Sequence, residues 1–267
     1  MLVSTVRSRT TLRFIGVSNC LPDAGQETAC VLLNESVLVD AGWHAALHMR
    51  RFGCDPLAVS HVFLTHCHHD HYLGLAPLFF YRAMKAKEGA SCPPLVIAGP
   101  HIEMERVIEG ARQFLQAERY PDAALPLGVV HLRPGESYDA GRLRVRTAQT
   151  VHPTLSVCYR FEDTATGAVV VVTGDTAYYE PLGRFAAGAD VLVHEASAGP
   201  GSRDPLEAWG HSGAQDAARI AQAARPKRLY IVHFSEAQRE ADLNAARLIF
   251  PETYAPREGE AVELPLA

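Results

Sequence analysis

Residues 65–71 read Thr-His-Cys-His-His-Asp-His, which places four histidines and an aspartate within seven positions. Imidazoles and a carboxylate crowd together at this density when a cation sits among them. A divalent ion fits nitrogen and oxygen ligands of this kind; zinc is favoured, and manganese (Mn2+) and iron (Fe2+) are compatible with the same set. One short loop rarely closes a coordination shell, so partners must come from elsewhere in the chain. Four side chains have the right type and setting, each just after an apolar, strand-like run. They are Asp40 after Val37-Leu-Val, His152 after Thr147-Ala-Gln-Thr-Val, Asp175 after Val169-Val-Val-Val-Thr-Gly, and His233 after Leu229-Tyr-Ile-Val. Alone, a strand-end histidine is more often a structural hydrogen-bonder, and Gly-Asp is more often a turn. Four such ends on the same side of a sheet as the heptapeptide reverse that preference.

The elements that must deliver these residues are short. Residues 11–17, 29–33, 37–40, 59–64, 95–98, 143–147, 157–161, 168–173, 191–193 and 229–232 read as strands, with 163–167 as a hairpin turn. Helices fit the stretch from Tyr72 to Lys87 and residues 102–116, 214–224 and 236–250. In the second of these, Ile102, Val107, Ile108, Ala111, Phe114 and Leu115 make an apolar stripe. Residues 120–126 form a proline-containing connection. Two similar β-then-α halves predict an α/β fold of two mixed sheets packed face to face with helices outside, a four-layer αββα sandwich. Loops at the carboxyl ends of strands are where such sheets place their chemistry.

With 267 residues and 48% hydrophobic content, the chain can bury a sizeable core. It shows no linker, low-complexity stretch or fixed-period repeat. A net charge of −5 argues against a generic nucleic-acid coat. Arg50-Arg51, Arg82 with Lys85 and Lys87, the alternating Arg142, Arg144 and Arg146, and Arg225 to Arg228 read as solvated faces. The six cysteines are scattered, with no Cys-x-x-Cys pair, which suits a reducing compartment. The amino terminus lacks a signal-peptide stretch, and no apolar segment could span a bilayer. These features predict a soluble, cytoplasmic protein.

The pattern His66-x-His68-x-Asp70-His71, then His152, Asp175 and His233 with Asp40 upstream, resembles the metallo-β-lactamase fold superfamily along nearly the whole chain. The resemblance implies one hydrolase domain over residues 1–267. It also implies one metal held by His66, His68 and His152, and another by Asp70, His71 and His233. Asp175 would bridge the two, and Asp40 would orient the cluster from behind. Water held between two such ions loses its proton near neutral pH, becoming a bridging hydroxide that can attack phosphorus.

Val193-His-Glu-Ala-Ser197 and Gly210-His-Ser-Gly213 resemble the His-Glu-Ala-Thr and His-Ser-Thr motifs of ribonuclease Z-like phosphodiesterases, as does Pro94-Leu-Val-Ile-Ala-Gly-Pro100. There the histidine matching His211 protonates the leaving oxygen, supported by the glutamate matching Glu195. Asp70, His211 and Glu195 are therefore the candidate catalytic residues. Two departures stand out: Gly213 replaces the motif's threonine, and His69 replaces a glycine. His69 and Cys67 are expected to point away from the metals. Transfer-RNA-processing members carry a long basic arm between the positions of His152 and Asp175, which here leave room for one hairpin only. A small nucleotide-type phosphodiester is thus favoured over tRNA. The alternatives are a carboxyl ester, thioester or lactone hydrolase, a tRNA 3′ processing enzyme, or a non-catalytic metal-binding accessory protein. A redox di-iron centre is weaker, since those members tend to replace a cluster histidine by carboxylate. Residues 20–26, 84–92, 112–126 and 199–209 are expected to form the substrate rim, with Trp209 serving in packing. Relatives commonly form homodimers, and helices near 47–52 and 75–86 would supply that surface.

Overall fold

The computed structural model describes residues 8–123, 127–201 and 209–266. Parts of the expected 120–126 connection and 199–209 rim segment lie outside the described residues. Two seven-stranded sheets stack face to face. The first contains β1 (Thr10–Gly16), β2 (Cys30–Leu33), β3 (Val37–Val39), β4 (His61–Phe63), β5 (Leu95–Pro100) and β6 (Leu127–Leu132). The second contains β7 (Ser137–Ala140), β8 (Leu143–Gln149), β9 (Val157–Asp163), β10 (Val169–Val172), β11 (Val191–Glu195), β12 (Arg228–Val232) and β13 (Thr253–Tyr254). The last strand, β14 (Ala261–Leu264), returns to the edge of the first sheet beside β1.

Each sheet is antiparallel in one half and parallel in the other. Strands β3 to β6 run parallel, as do β10 to β13. Parallel neighbours need crossovers, and helices supply them. These are α1 (Ala45–Arg51), α2 (His69–Tyr72) with α3 (Leu75–Lys87), α4 (Met104–Phe114), α5 (Pro181–Phe185), α6 (Ala214–Ala224) and α7 (Arg239–Arg247). The consequence for function is geometric: β3, β4, β10, β11 and β12 all end on one rim.

Period-two alternation sorts the side chains into layers. In β2, Val31 and Leu33 join Phe14, Phe63, Tyr159 and Phe161 in the core cluster that spans the two sheets. Cys30 and Leu32 belong to a second cluster with Met49 of α1 and Leu78 and Phe79 of α3. Burying each large apolar side chain contributes roughly 1.5–3 kcal/mol. The fold is the predicted αββα sandwich.

Several local expectations were wrong. Arg82 is not on a solvated face. It is 1% exposed, and its guanidinium donates to the carbonyls of Pro56, Leu57, Val59 and Pro93, pinning α3 to the loops that precede β4 and β5. Helix α4 begins at Met104 because Glu103 turns left-handed at φ 71°. Ile102 and Phe114, assigned above to its apolar stripe, are 53% and 79% exposed. The expected helix 236–250 is a 3₁₀ turn followed by the shorter α7. Trp209 is 77% exposed and so does not pack inside. The edge strands β6, β7, β13 and β14 and the short α5 had no counterpart in the sequence reading. Among the described residues, no helix is long and apolar enough to cross a membrane.

One buried group lies outside this economy of paired charges. Asp242, on the inner face of α7, is fully buried and neither carboxylate oxygen has a hydrogen-bond partner among the described residues. Burial alone pushes its pKa up to about 6. A carboxyl whose pKa is higher folded than unfolded favours the fold at low pH and opposes it once ionised. Stability referable to Asp242 therefore falls as pH rises through about 4 to 6. Denaturant unfolding of Asp242→Asn against the parent should show a difference near zero at pH 4. By pH 7.5 the variant should be more stable by about 3 kcal/mol.

Candidate metal centre

The rim is built from strand ends that turn sharply. Asp40 follows β3 and His233 follows β12, each in the left-handed backbone region at φ 59°. For non-glycine residues this conformation costs about 1 kcal/mol or more, and surrounding contacts must hold it. Asp175 follows Gly174, which is left-handed at φ 63° and packed so closely that a Cβ there would lie 2.5 Å from Cβ of Thr65. Only glycine fits between the end of β10 and the loop after β4. That loop carries His66 and His68, and α2 then presents Asp70 and His71 in its single turn.

These turns bring all seven predicted ligand side chains together. His66, His68 and His152 form one group whose ligand atoms lie within 4.8 Å of one another, and Asp70, His71 and His233 form a second. Nε2 of His152 is 3.0 Å from Nδ1 of His68, and Nε2 of His233 is 3.2 Å from Oδ2 of Asp70. Oδ2 of Asp175 lies between the groups, 3.7 Å from His66, 3.4 Å from His71 and 3.6 Å from His233, measured to each Nε2. Nitrogen ligands about 2.0–2.1 Å from a tetrahedral zinc stand roughly 3.3 Å apart, so these spacings suit a cation.

The donor set passes a second test. Nε2 of His66 and of His71 are buried with no hydrogen-bond partner among the described residues. Leaving such an atom unsatisfied costs roughly 1–3 kcal/mol, and a metal ion removes that penalty by accepting the lone pair. The opposite ring nitrogens are held. Nδ1 of His71 donates to Oδ2 of Asp40 at 2.8 Å, Nδ1 of His152 donates to the Gly210 carbonyl at 2.9 Å, and Nδ1 of His66 lies 3.1 Å from Oγ1 of Thr65. These partners aim the Nε2 lone pairs inward. Asp40 also accepts from the backbone N–H and hydroxyl of Thr65, at 2.7 and 2.9 Å, so one carboxylate ties β3 to the ligand loop.

Charge follows the same layout. Burial would raise the Asp70 and Asp175 carboxyls, but His71 and His233 hold both well below the usual carboxylate range. Burial would lower His71, and Asp175 and Asp40 instead raise it well above its ordinary value. At His66, burial and then the adjacent His71 outweigh the pull of Asp175 and keep the ring far below its ordinary value, in the neutral form that can ligate.

Beside the cluster, Nδ1 of His211 lies 2.8 Å from Oε1 of Glu195 and 3.9 Å from Oδ2 of Asp175. Glu195 is 1% exposed and also accepts from the backbone of Thr176 and from the backbone and hydroxyl of Ser197. Burial works against protonation of His211, but the Glu195 carboxylate raises it to about 9. Gly213 stands where a threonine was expected for a steric reason: a Cβ there would lie 1.8 Å from the Gly201 carbonyl oxygen.

His69 lies outside every candidate ligand group, with its side chain 58% exposed and its ring 6.3 Å from Trp43. Cys67 is likewise absent from those groups. Sequence reasoning missed several supports. Thr65 is one. Another is Glu27, which is 1% exposed and accepts from the backbone of Thr28, Trp43 and His44. A third is Thr28, whose hydroxyl donates to the Asp70 carbonyl at 2.7 Å. The threonine directly before the first ligand was a usable signal; nothing in the spacing marks Glu27.

Residues 35–234 match the β-lactamase superfamily domain. Ribonuclease Z of Methanothermobacter thermautotrophicus is 25% identical over 291 aligned residues, covering 90% of this chain and 92% of the relative. The metallo-β-lactamase fold protein YhfI of Bacillus subtilis superposes with a TM-score of 0.80 at 24% identity, covering 96% of this chain and all of that one. The short form of human tRNase Z gives 0.76 at 20%, again over 96% of this chain and all of that one.

The hydrogen bonds of Asp40 generate a direct expectation. Asp40→Asn should weaken metal binding 10–100-fold in competition with a chromophoric chelator, because the amide cannot accept from Thr65 and His71 together as the carboxylate does. Unchanged affinity would remove Asp40 from the site.

Proposed function

Because this chain belongs to the β-lactamase superfamily and is a metal-dependent hydrolase of the metallo-β-lactamase fold, we propose that it cleaves phosphodiester bonds in small nucleotide-type substrates. His66, His68 and His152 would hold one divalent ion, Asp70, His71 and His233 a second, with Asp175 shared and zinc the favoured metal. When bound, the ions supply Lewis acidity, lowering the pKa of water for nucleophilic attack and stabilising charge on phosphoryl oxygens.

The observation that carries the reading is the His211–Glu195 pair. An alkoxide is a poor leaving group and needs a proton as its bond to phosphorus breaks. Glu195 fixes Nδ1 of His211 at 2.8 Å and favours the imidazolium, which leaves Nε2 to donate that proton. Acyl transfer to a good leaving group needs no such donor, so the pair supports phosphoryl over acyl chemistry. Asp40 and Thr65 hold the ligand loop still, and Gly210 orients His152.

Two observations support a small substrate over tRNA. Between His152 and Asp175 the chain forms only the β9–β10 hairpin. The alignment to the Methanothermobacter relative spans 291 residues while taking in 90% of a 267-residue chain, so about 50 positions of the relative have no residue opposite them here. The relative's name keeps RNA cleavage as the second reading.

Purified, metal-replete protein should hydrolyse bis-p-nitrophenyl phosphate faster than p-nitrophenyl acetate or a homoserine lactone; the opposite ranking rejects the phosphodiesterase reading. His211→Ala should lose about 10²–10⁴-fold in kcat on a diester with an alkoxide leaving group, such as 3′,5′-cyclic AMP. On bis-p-nitrophenyl phosphate, whose phenolate needs no proton, the loss should be under tenfold. Equal losses on both substrates would make His211 a structural residue.

A further inference from the structure

A cleft of about 750 Å³ opens between α4 and the corner joining α2 to α3. We propose that it binds the nucleoside portion of the substrate, stacking the base on aromatic rings while the phosphodiester lies at the metal rim. The proposal rests on the phosphodiesterase reading and extends it.

The cleft shares a wall with the ligand loop. Cys67, between His66 and His68, and Tyr72, directly after His71, both line it. On the opposite side, the Glu103 carboxylate accepts from the hydroxyl of Thr154 at 2.7 Å, two residues after His152.

The lining has a mixed chemistry that narrows the ligand. Trp43, Tyr72 and Phe114 contribute aromatic faces, with Phe114 79% exposed on an otherwise polar stretch of α4. Arg106 lines the same space and makes no hydrogen bond or ion pair among the described residues. Gln113, at the exposed end of α4, adds an amide whose N–H donates to Glu109 at 3.2 Å and whose oxygen can accept. A purely apolar ligand would leave the guanidinium without a partner, and a simple sugar phosphate would leave the rings uncovered. A nucleoside satisfies both, offering a planar face for stacking and polar edges for Arg106 and Gln113. The volume falls within the roughly 300–1,000 Å³ usual for ligand pockets. Of the expected rim segments, 112–126 contributes Gln113 and Phe114, whereas 84–92 contributes nothing to the cleft.

Calorimetric titration of the metal-loaded protein with adenosine 5′-monophosphate and with ribose 5-phosphate tests this without turnover. The nucleotide should bind at least tenfold more tightly. Phe114→Ala and Arg106→Ala should each weaken its binding at least fivefold. Arg144→Ala, which removes an exposed guanidinium on the far sheet, controls for net charge and should match the parent. Equal affinity for the two ligands, or parent-like binding by both cleft variants, overturns the proposal. Nucleotide binding that depends on the cleft, in a protein that cleaves no diester, would instead overturn the reaction assigned above while leaving the cleft in place.

Discussion

Five of the seven clustered imidazole and carboxylate side chains, His66, Asp70, His71, Asp175 and His233, are at most 3% exposed. They satisfy one another only in part, since Nε2 of His66 and of His71 has no hydrogen-bond partner among the described residues. Imidazoles facing imidazoles, as His66 faces His71 and His152, must give up either charge or hydrogen bonds. The carboxylates among them stay ionised only with positive partners nearby. A bound cation resolves both problems at once, since it takes the neutral nitrogens as ligands and compensates the carboxylates. The rest of the rim is arranged so that this demand is met at one place.

The sheets create that place. Parallel pairing from β3 to β6 and from β10 to β13 makes successive strands end on the same edge, and stacking brings the two edges together. The chain then needs side chains that leave the sheet at once. Left-handed turns at Asp40, Gly174 and His233 do this, and the contacts of Asp40 with Thr65 and His71 show what holds one of them. Strain, hydrogen bonding and the grouping of candidate ligands are thus parts of one arrangement. The Glu195–His211 pair extends it by one step, with Nδ1 of His211 held by Glu195 and 3.9 Å from Oδ2 of Asp175.

The sequence made the centre of the molecule legible because candidate ligands and burial coincide there. His152, Asp175 and His233 each end an apolar run, so residue type and strand position point the same way. Strands β10 to β12, nearly all buried, read clearly as segments rich in β-branched residues. Edge strands did not: β6 and β7 are half exposed, and their mixed composition hides the alternation. Arg82 was misplaced because composition records charge but not helix face, and its neighbours Lys85 and Lys87 do point outward. Phe114 was misplaced for the converse reason: an apolar residue at helical spacing was taken for core when it faces a cleft. Glu27 could not be found at all, because its role consists of backbone contacts that fold-level proximity alone creates.

The account turns on paired cations at this rim, and metal stoichiometry tests it most directly. Protein prepared without chelators and analysed by inductively coupled plasma mass spectrometry should carry close to two transition-metal ions per chain, and Asp175→Ala should carry measurably fewer. Metal-free parent protein that regains no stoichiometric metal on dialysis against zinc, manganese or iron would contradict the account.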